Sequence, residues 1–213
     1  DIAPAASTLI PLLEGSPADH PLVLLTAHRR ESFGRPLEEA LGAARTLVEE
    51  DPALQLLYPV HPNPRVREPA HRILGGHPRI HLVEPLSYPD LVRILARARL
   101  ILTDSGGIQE EAPTFGTPVL VLREVTERPE GIEAGVARLV GTDRDRILGE
   151  ARKLLAEPWS ARAARRGRNP YGDGQAGSRI AEAVVSWLTS EGRPSHRPEP
   201  APGVQQGRGG GRA

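Results

Sequence analysis

The residues able to do chemistry here gather in short polar clusters, each placed just after an apolar run. Asp104-Ser105-Gly106-Gly107 leads into Ile108-Gln109-Glu110-Glu111. Adjacent glycines at a strand-to-helix junction let the backbone approach a ligand closely, and the helix that follows offers N–H groups to an anion. Ser105 adds a hydroxyl donor. Two readings stand side by side: a seat for a phosphate or diphosphate, or a tight turn with Ser105 as a simple helix cap. The segment lacks the Gly-Lys-Ser/Thr of a Walker loop and the spaced glycines of a dinucleotide fingerprint. It is not a Gly-x-Ser-x-Gly nucleophile elbow either. Glu110 and Glu111 diverge by about 100° on a helix and cannot face each other as a catalytic pair. A carboxylate repels a phosphate, so the better role for one of them is accepting hydrogen bonds from a neutral diol such as a ribose.

Three further clusters matter. His28-Arg29-Arg30 is basic directly after a buried run, where an imidazole can bind phosphate or move a proton, or can be purely structural. Arg123, Glu124, Glu127, Arg128, Glu130 and Glu133 crowd opposite charges into one loop. That loop reads as solvated and mutually paired, with Arg128 the exception, because a guanidinium fork suits a diphosphate. His61, His71, His77 and His81 do not place a pair at i, i+4 on one helix face, so no metal site is expected.

These clusters need elements to hold them. Residues 21–26 are apolar on both faces, as in a buried parallel strand. Leu37, Ala40, Leu41, Ala44 and Leu47 then form a helical stripe. The pair recurs: strand 54–60, a helix capped by Asn63 before Pro64 and running to Gly75-Gly76, strand 80–83, a helix capped by Ser87, and strand 100–103. Helix 108–114, strand 118–122 and a polar loop 123–132 follow, then a short strand 138–141 and a helix capped by Thr142 or Asp143 through Leu155. Asn169-Pro170-Tyr171-Gly172-Asp173-Gly174 is a turn cluster. A last helix over 177–189 should turn Ile180, Val184, Val185 and Leu188 inward. This alternation predicts an open, parallel α/β sheet, which binds ligands beyond the carboxyl ends of its strands. His28-Arg29-Arg30, His61, Asp104-Ser105-Gly106-Gly107 and Arg123 to Arg128 all fall at such ends.

Composition narrows the function classes. In 213 residues, Lys+Arg and Asp+Glu are both 27, which argues against bulk attraction to nucleic acid or an anionic membrane. Zero cysteines exclude disulfides, thiolate metal sites and a cysteine nucleophile. No apolar run approaches the roughly 18 residues of a membrane span, and no leader is visible, so a cytoplasmic location is expected. The sequence contains no methionine, even at position 1, and so reads as starting after its natural beginning. Three segments are expected: residues 1–20 as an interdomain segment or helix carrying Ile2, Leu9, Ile10, Leu12 and Leu13, a domain over 21–190, and a disordered Pro/Gly/Arg-rich tail over 191–213.

Five motifs together resemble one family, the non-hydrolysing UDP-N-acetylglucosamine 2-epimerases. They are Thr26-Ala27-His28-Arg29-Arg30-Glu31-Ser32-Phe33-Gly34, Pro59-Val60-His61-Pro62-Asn63-Pro64, residues 104–113, Thr126-Glu127-Arg128-Pro129-Glu130-Gly131 and Asn169-Pro170-Tyr171-Gly172-Asp173-Gly174. The resemblance covers about residues 20–190. It implies the carboxyl-terminal, Rossmann-like half of a two-domain glycosyltransferase-B-like fold. It further implies that Ser105, Gly106 and Gly107 hold a diphosphate, Glu111 the ribose and Arg128 the nucleotide. His28 would then stand near the reacting sugar, and residues Leu86 to Leu91 would meet the uracil. In bacterial relatives a second, regulatory UDP-sugar site uses the residues matching Arg29 and His61. The family's chemistry removes a proton from C2 as UDP leaves C1, then returns both, and it uses no cofactor or metal. The carboxylates that move the proton lie in an amino-terminal domain this chain lacks, so the chain should bind UDP weakly and not turn over alone. The family also implies a homodimer. Two rivals remain: half of a nucleotide-sugar glycosyltransferase, and a non-catalytic UDP-sugar-binding module.

Overall fold

The structure, a computed structural model, describes residues 9, 11–14, 20–162, 165 and 169–189. It divides into two compact units, Asp1–Tyr171 and Gly172–Ala213. In the first, strands β1 (Leu22–Thr26), β2 (Gln55–Pro59), β3 (Ile80–Val83), β4 (Leu100–Thr103), β5 (Val119–Val121) and β6 (Ala137–Leu139) make one sheet. Its order is β3-β2-β1-β4-β5-β6, and every pair is parallel. The open parallel α/β sheet expected from the sequence is the fold.

Both faces are covered, which is why the strands read as unbroken apolar runs. Val23 and Leu25 enter a core with Leu37, Leu41 and Leu47 of α1 (Arg35–Glu50), Val66 and Leu74 of α2 (Pro64–Leu74), and Ile147 and Leu154 of α6 (Arg144–Ala156). Leu22 and Leu24 point the other way, into a core with Ile94 and Leu95 of α3 (Tyr88–Arg97) and Ile108 of α4 (Gly106–Glu111). Leu9 and Leu12 join that second core. The expected caps form where short polar side chains meet orphan N–H groups. Asn63 accepts from Arg65 N at 3.0 Å and Ser87 from Asp90 N at 3.4 Å. At α6 the cap is Asp143, which accepts from Arg146 N at 2.8 Å.

Three expectations need correction. The helix expected over 108–114 begins earlier, at Gly106, and its α-turns end at Glu111 before a 3₁₀ turn over Ala112–Phe115. Pro113 has no N–H to continue the ladder, and Gly116 then leaves with φ 69°. The loop 123–132 holds a short helix, α5 (Pro129–Glu133), started by proline in its first turn. In the second unit, α7 (Ala176–Thr189) has the apolar spacing expected of it but buries none of it. Ile180, Val184, Val185 and Leu188 are all exposed, as is Trp187. Periodicity shows that a face is apolar and says nothing of where its cover lies.

The strand order reverses direction at β1 and β4, which lie side by side although three helices separate them in sequence. The crevice at the carboxyl ends of those two strands is where open α/β sheets take their ligands. His28 follows β1 there and Asp104 follows β4. Tyr58 braces this edge from β2: fully buried, it donates through Oη to Ala27 O at 2.6 Å. Burial pushes its phenol well above the ordinary range, so it stays a neutral donor. Tyr58→Phe leaves the Ala27 carbonyl buried and unpaired. Urea denaturation should show a loss of about 1–2 kcal/mol with an unchanged m value.

Candidate functional site

Asp104 is the centre of the crevice. Its side chain is 1% exposed, and Oδ2 accepts from the backbone N–H groups of His28 at 2.6 Å and Arg29 at 2.7 Å. Oδ1 lies 3.3 Å from His28 Nδ1. One carboxylate of β4 therefore fixes both the backbone and the imidazole at the exit of β1. That contact directs the Nδ1 side of His28 inward and leaves Nε2 for the crevice. His61, from the exit of β2, stacks on the same ring, with centroids 5.6 Å apart and planes within 7°. His61 Nδ1 accepts from Asn63 N at 3.1 Å, which assigns its proton to Nε2.

The glycine pair opens α4 directly beside this group. Ser105 occupies the N-cap position but makes no capping hydrogen bond, so the simple-cap reading is not the one realised. Gln109, almost fully buried, holds the turn closed by donating to Ser105 O at 3.1 Å. Its Oε1 accepts from Thr126 Oγ1 at 2.7 Å, and Thr126 Oγ1 accepts in turn from Arg128 N at 3.1 Å. Arg128 is thereby delivered to Gly106. A Cβ placed on Gly106 would stand 3.8 Å from Arg128 Nη2 and 3.9 Å from Arg29 Nη2. Two guanidinium groups thus meet over a patch of bare backbone.

The acidic residues divide as the helix angle requires. Glu110 pairs with Arg128 Nε. Glu111 Oε2 is buried and has no hydrogen-bond partner among the described residues. Leu86 and Leu91, between the end of β3 and the first turn of α3, are partly buried against the second core.

Sequence reasoning missed several members of this arrangement. Arg123, expected to be solvated, has a side chain only 7% exposed and is held between two carboxylates. It donates to Glu31 at 2.8 Å and in bidentate fashion to Glu127 at 2.5 and 2.9 Å. Glu127 in turn stands 3.8 Å from Arg29 Nη1. The one available signal was position, since Arg123 directly follows an apolar strand and so starts at the buried sheet edge. Asp104, Gln109, Thr126 and Tyr58 were also missed as orienting groups, because the contacts that join them to the site, Asp104 to His28, Tyr58 to Ala27 and Thr126 to Gln109, span 76, 31 and 17 positions.

The fold and the site together define a Rossmann-like α/β domain with two arginines gathered over a glycine turn at its topological switch point. A family model described as UDP-N-acetylglucosamine 2-epimerase matches residues 8–185, and the chain belongs to that family. It is 51% identical over 164 residues to the UDP-N-acetylglucosamine 2-epimerase of Bacillus subtilis, covering 77% of this chain and 43% of that protein. Among solved structures, a UDP-N-acetylglucosamine 2-epimerase from Listeria monocytogenes superposes with a TM-score of 0.77 at 48% identity, covering 88% of this chain and 49% of that one. S. aureus MnaA, in a co-structure with UDP, gives a TM-score of 0.77 at 45% identity, over 85% and 48% of the two chains. The chain therefore spans less than half the length of these relatives.

The Arg123 hydrogen bonds hold the Glu127 carboxyl down to about 2, against an ordinary 4.5. A depressed carboxyl stabilises the fold above its unfolded pKa, and that stability is lost as pH falls through the folded value. Glu127→Gln should therefore match the unaltered protein less closely at pH 7 than at pH 2, the gap closing as pH drops below about 4.5. Urea midpoints measured across this range for both proteins check it.

Proposed function

We propose that the whole protein interconverts UDP-N-acetylglucosamine and UDP-N-acetylmannosamine, and that this chain supplies its UDP-binding half. The observation carrying this reading is the meeting of Arg29 and Arg128 over Gly106, in a chain of the epimerase family. A diphosphate is a compact dianion with several acceptor oxygens, and two guanidinium forks beside uncovered backbone complement it in charge and shape. The Ser105 hydroxyl and the Gly106 and Gly107 backbone complete the cradle. The buried, unpaired Glu111 oxygen suits the hydroxyl donors of a ribose. Leu86 and Leu91 offer an apolar edge for the uracil.

The chemistry asks two things of the protein. As UDP leaves C1, negative charge grows on the departing diphosphate, and fixed donors and cations lower that barrier. His28 belongs to this task, with Asp104 holding its ring and Nε2 directed toward the reacting end. The weakly acidic C2 proton must also be taken and returned by positioned carboxylates. Those groups we assign to the portion of the relatives that this chain does not span. Alone, the chain binds UDP weakly and does not turn over. The whole protein acts as a cytoplasmic homodimer, without cofactor or metal. A second, regulatory UDP-sugar would have to share the edge of this same crevice, since Arg29 reaches Gly106 and His61 stacks on His28.

Titration of the chain with UDP to millimolar concentration should move the NMR resonances of Gly106, Arg128 and His28. Unmoved resonances at all three would overturn the reading. With the whole protein in D2O and no acceptor, deuterium should appear at C2 of the UDP-sugar. The isolated chain should show no turnover above a His28→Ala control.

A further inference from the structure

The turn Asn169-Pro170-Tyr171 belongs to none of the roles assigned so far, yet it contacts both sides of the diphosphate seat. Asn169 Nδ2 donates to the backbone carbonyl of Glu110 at 3.0 Å and to Thr114 Oγ1 at 2.8 Å. Its own Oδ1 accepts from Tyr171 N at 2.9 Å, which aims the tyrosine. Tyr171 Oη then accepts from Gly131 N at 2.9 Å and donates to the Arg128 carbonyl at 3.1 Å. Asn169 thus holds the backbone of Glu110 while Tyr171 holds the backbone of Arg128. Those two residues are ion-paired with each other through Arg128 Nε. Gly131 is shaped for this contact: a Cβ there would lie 2.6 Å from Tyr171 Oη, closer than a side chain can stand without displacing the phenol.

The arrangement has a physical purpose. Arg128 sits at the start of a five-residue helix on a loop, and its side chain is 36% exposed. An exposed ion pair contributes little by itself, because ordering two long side chains offsets the attraction. A guanidinium binds an anion well only when its position is set beforehand. The backbone on both sides of the pair must therefore be tied down from outside, and Asn169 and Tyr171 do this with four hydrogen bonds to other segments. Partial burial raises the Tyr171 phenol above its ordinary pKa, so it remains a donor to the Arg128 carbonyl at physiological pH.

We propose that Asn169 and Tyr171 form a brace that pre-positions Arg128 over Gly106, making them positioning residues for diphosphate binding. The proposal rests on reading Gly106 and Arg128 as the diphosphate seat. Its test is a double-mutant cycle on this chain, with UDP affinity as the readout. Tyr171→Phe keeps the ring and removes only the hydroxyl; it should weaken UDP binding about fivefold, the worth of an ordinary hydrogen bond. In an Arg128→Ala background the same change should weaken binding by less than about twofold, since the residue it positions is gone. The Arg128 Nε–H resonance of the UDP-free chain should shift or broaden in Tyr171→Phe. An equal loss in both backgrounds, no loss in either, or an unmoved Nε–H resonance would overturn the brace. If Tyr171→Phe does not fold, Gly131→Ala, which displaces the phenol, is read by the same criteria. Equal UDP binding by Arg128→Ala and the unaltered chain would instead overturn the diphosphate seat, while the Nε–H resonance still judges the brace.

Discussion

A single buried carboxylate joins the two strands on which the site is built. Asp104, at the end of β4, accepts the first two backbone N–H groups beyond β1 and also faces the imidazole of His28. Hydrogen bonds to an ionised acceptor are among the stronger ones, and they are stronger still away from water. The hydrogen bonds are made by Oδ2, while the buried Oδ1 accepts none among the described residues and lies 3.3 Å from His28 Nδ1. With this link in place, the exits of β1 and β4 behave as one piece. The stacked pair of His28 and His61 and the reach of Arg29 then follow from it.

Around that link the charges form a layered arrangement. Arg123 is buried and bound to Glu31 and Glu127, so it acts as a strut and not as a ligand-binding cation. Arg29 and Arg128 stand farther out, each next to a carboxylate but still presenting a nitrogen toward Gly106. This division makes sense electrostatically. Each outer arginine has a carboxylate beside it, Glu127 for Arg29 and Glu110 for Arg128, which offsets the repulsion between two like charges held close together. The inner arginine, with both sides occupied, keeps the loop that carries Arg128 in place.

The positioning of Arg128 depends on three separate segments. Gln109 and Thr126 tie its N–H side to the glycine turn, and Tyr171 ties its carbonyl. None of these contacts lies within one secondary element. Loops that carry binding residues gain precision when their backbone polar groups are met by neighbouring groups, and here both the N–H and the carbonyl of Arg128 have partners. The short helix α5 is part of the same logic, since it gives Gly131 a fixed N–H to offer the tyrosine.

What the sequence determined alone was the part governed by local rules. Two-faced apolar runs alternating with helical stripes require a parallel sheet covered on both sides, and Asn63, Ser87 and Asp143 cap helices because short polar side chains meet orphan N–H groups there. The placement of the polar clusters at strand ends was also legible, because a chain leaving a buried strand becomes polar where it reaches water. Tertiary structure decided the rest. Only the strand order puts β1 beside β4, and with it Asp104 beside His28, residues 76 positions apart. Burial of Arg123, partnership of Glu110 with Arg128 and the reach of Tyr171 to Gly131 depend on side chains meeting across the sheet edge. The exposed face of α7 makes the same point from the other side, since a pattern of apolar residues states what wants cover and never what provides it. Composition and spacing act through neighbours in sequence, whereas a site is made by neighbours in space.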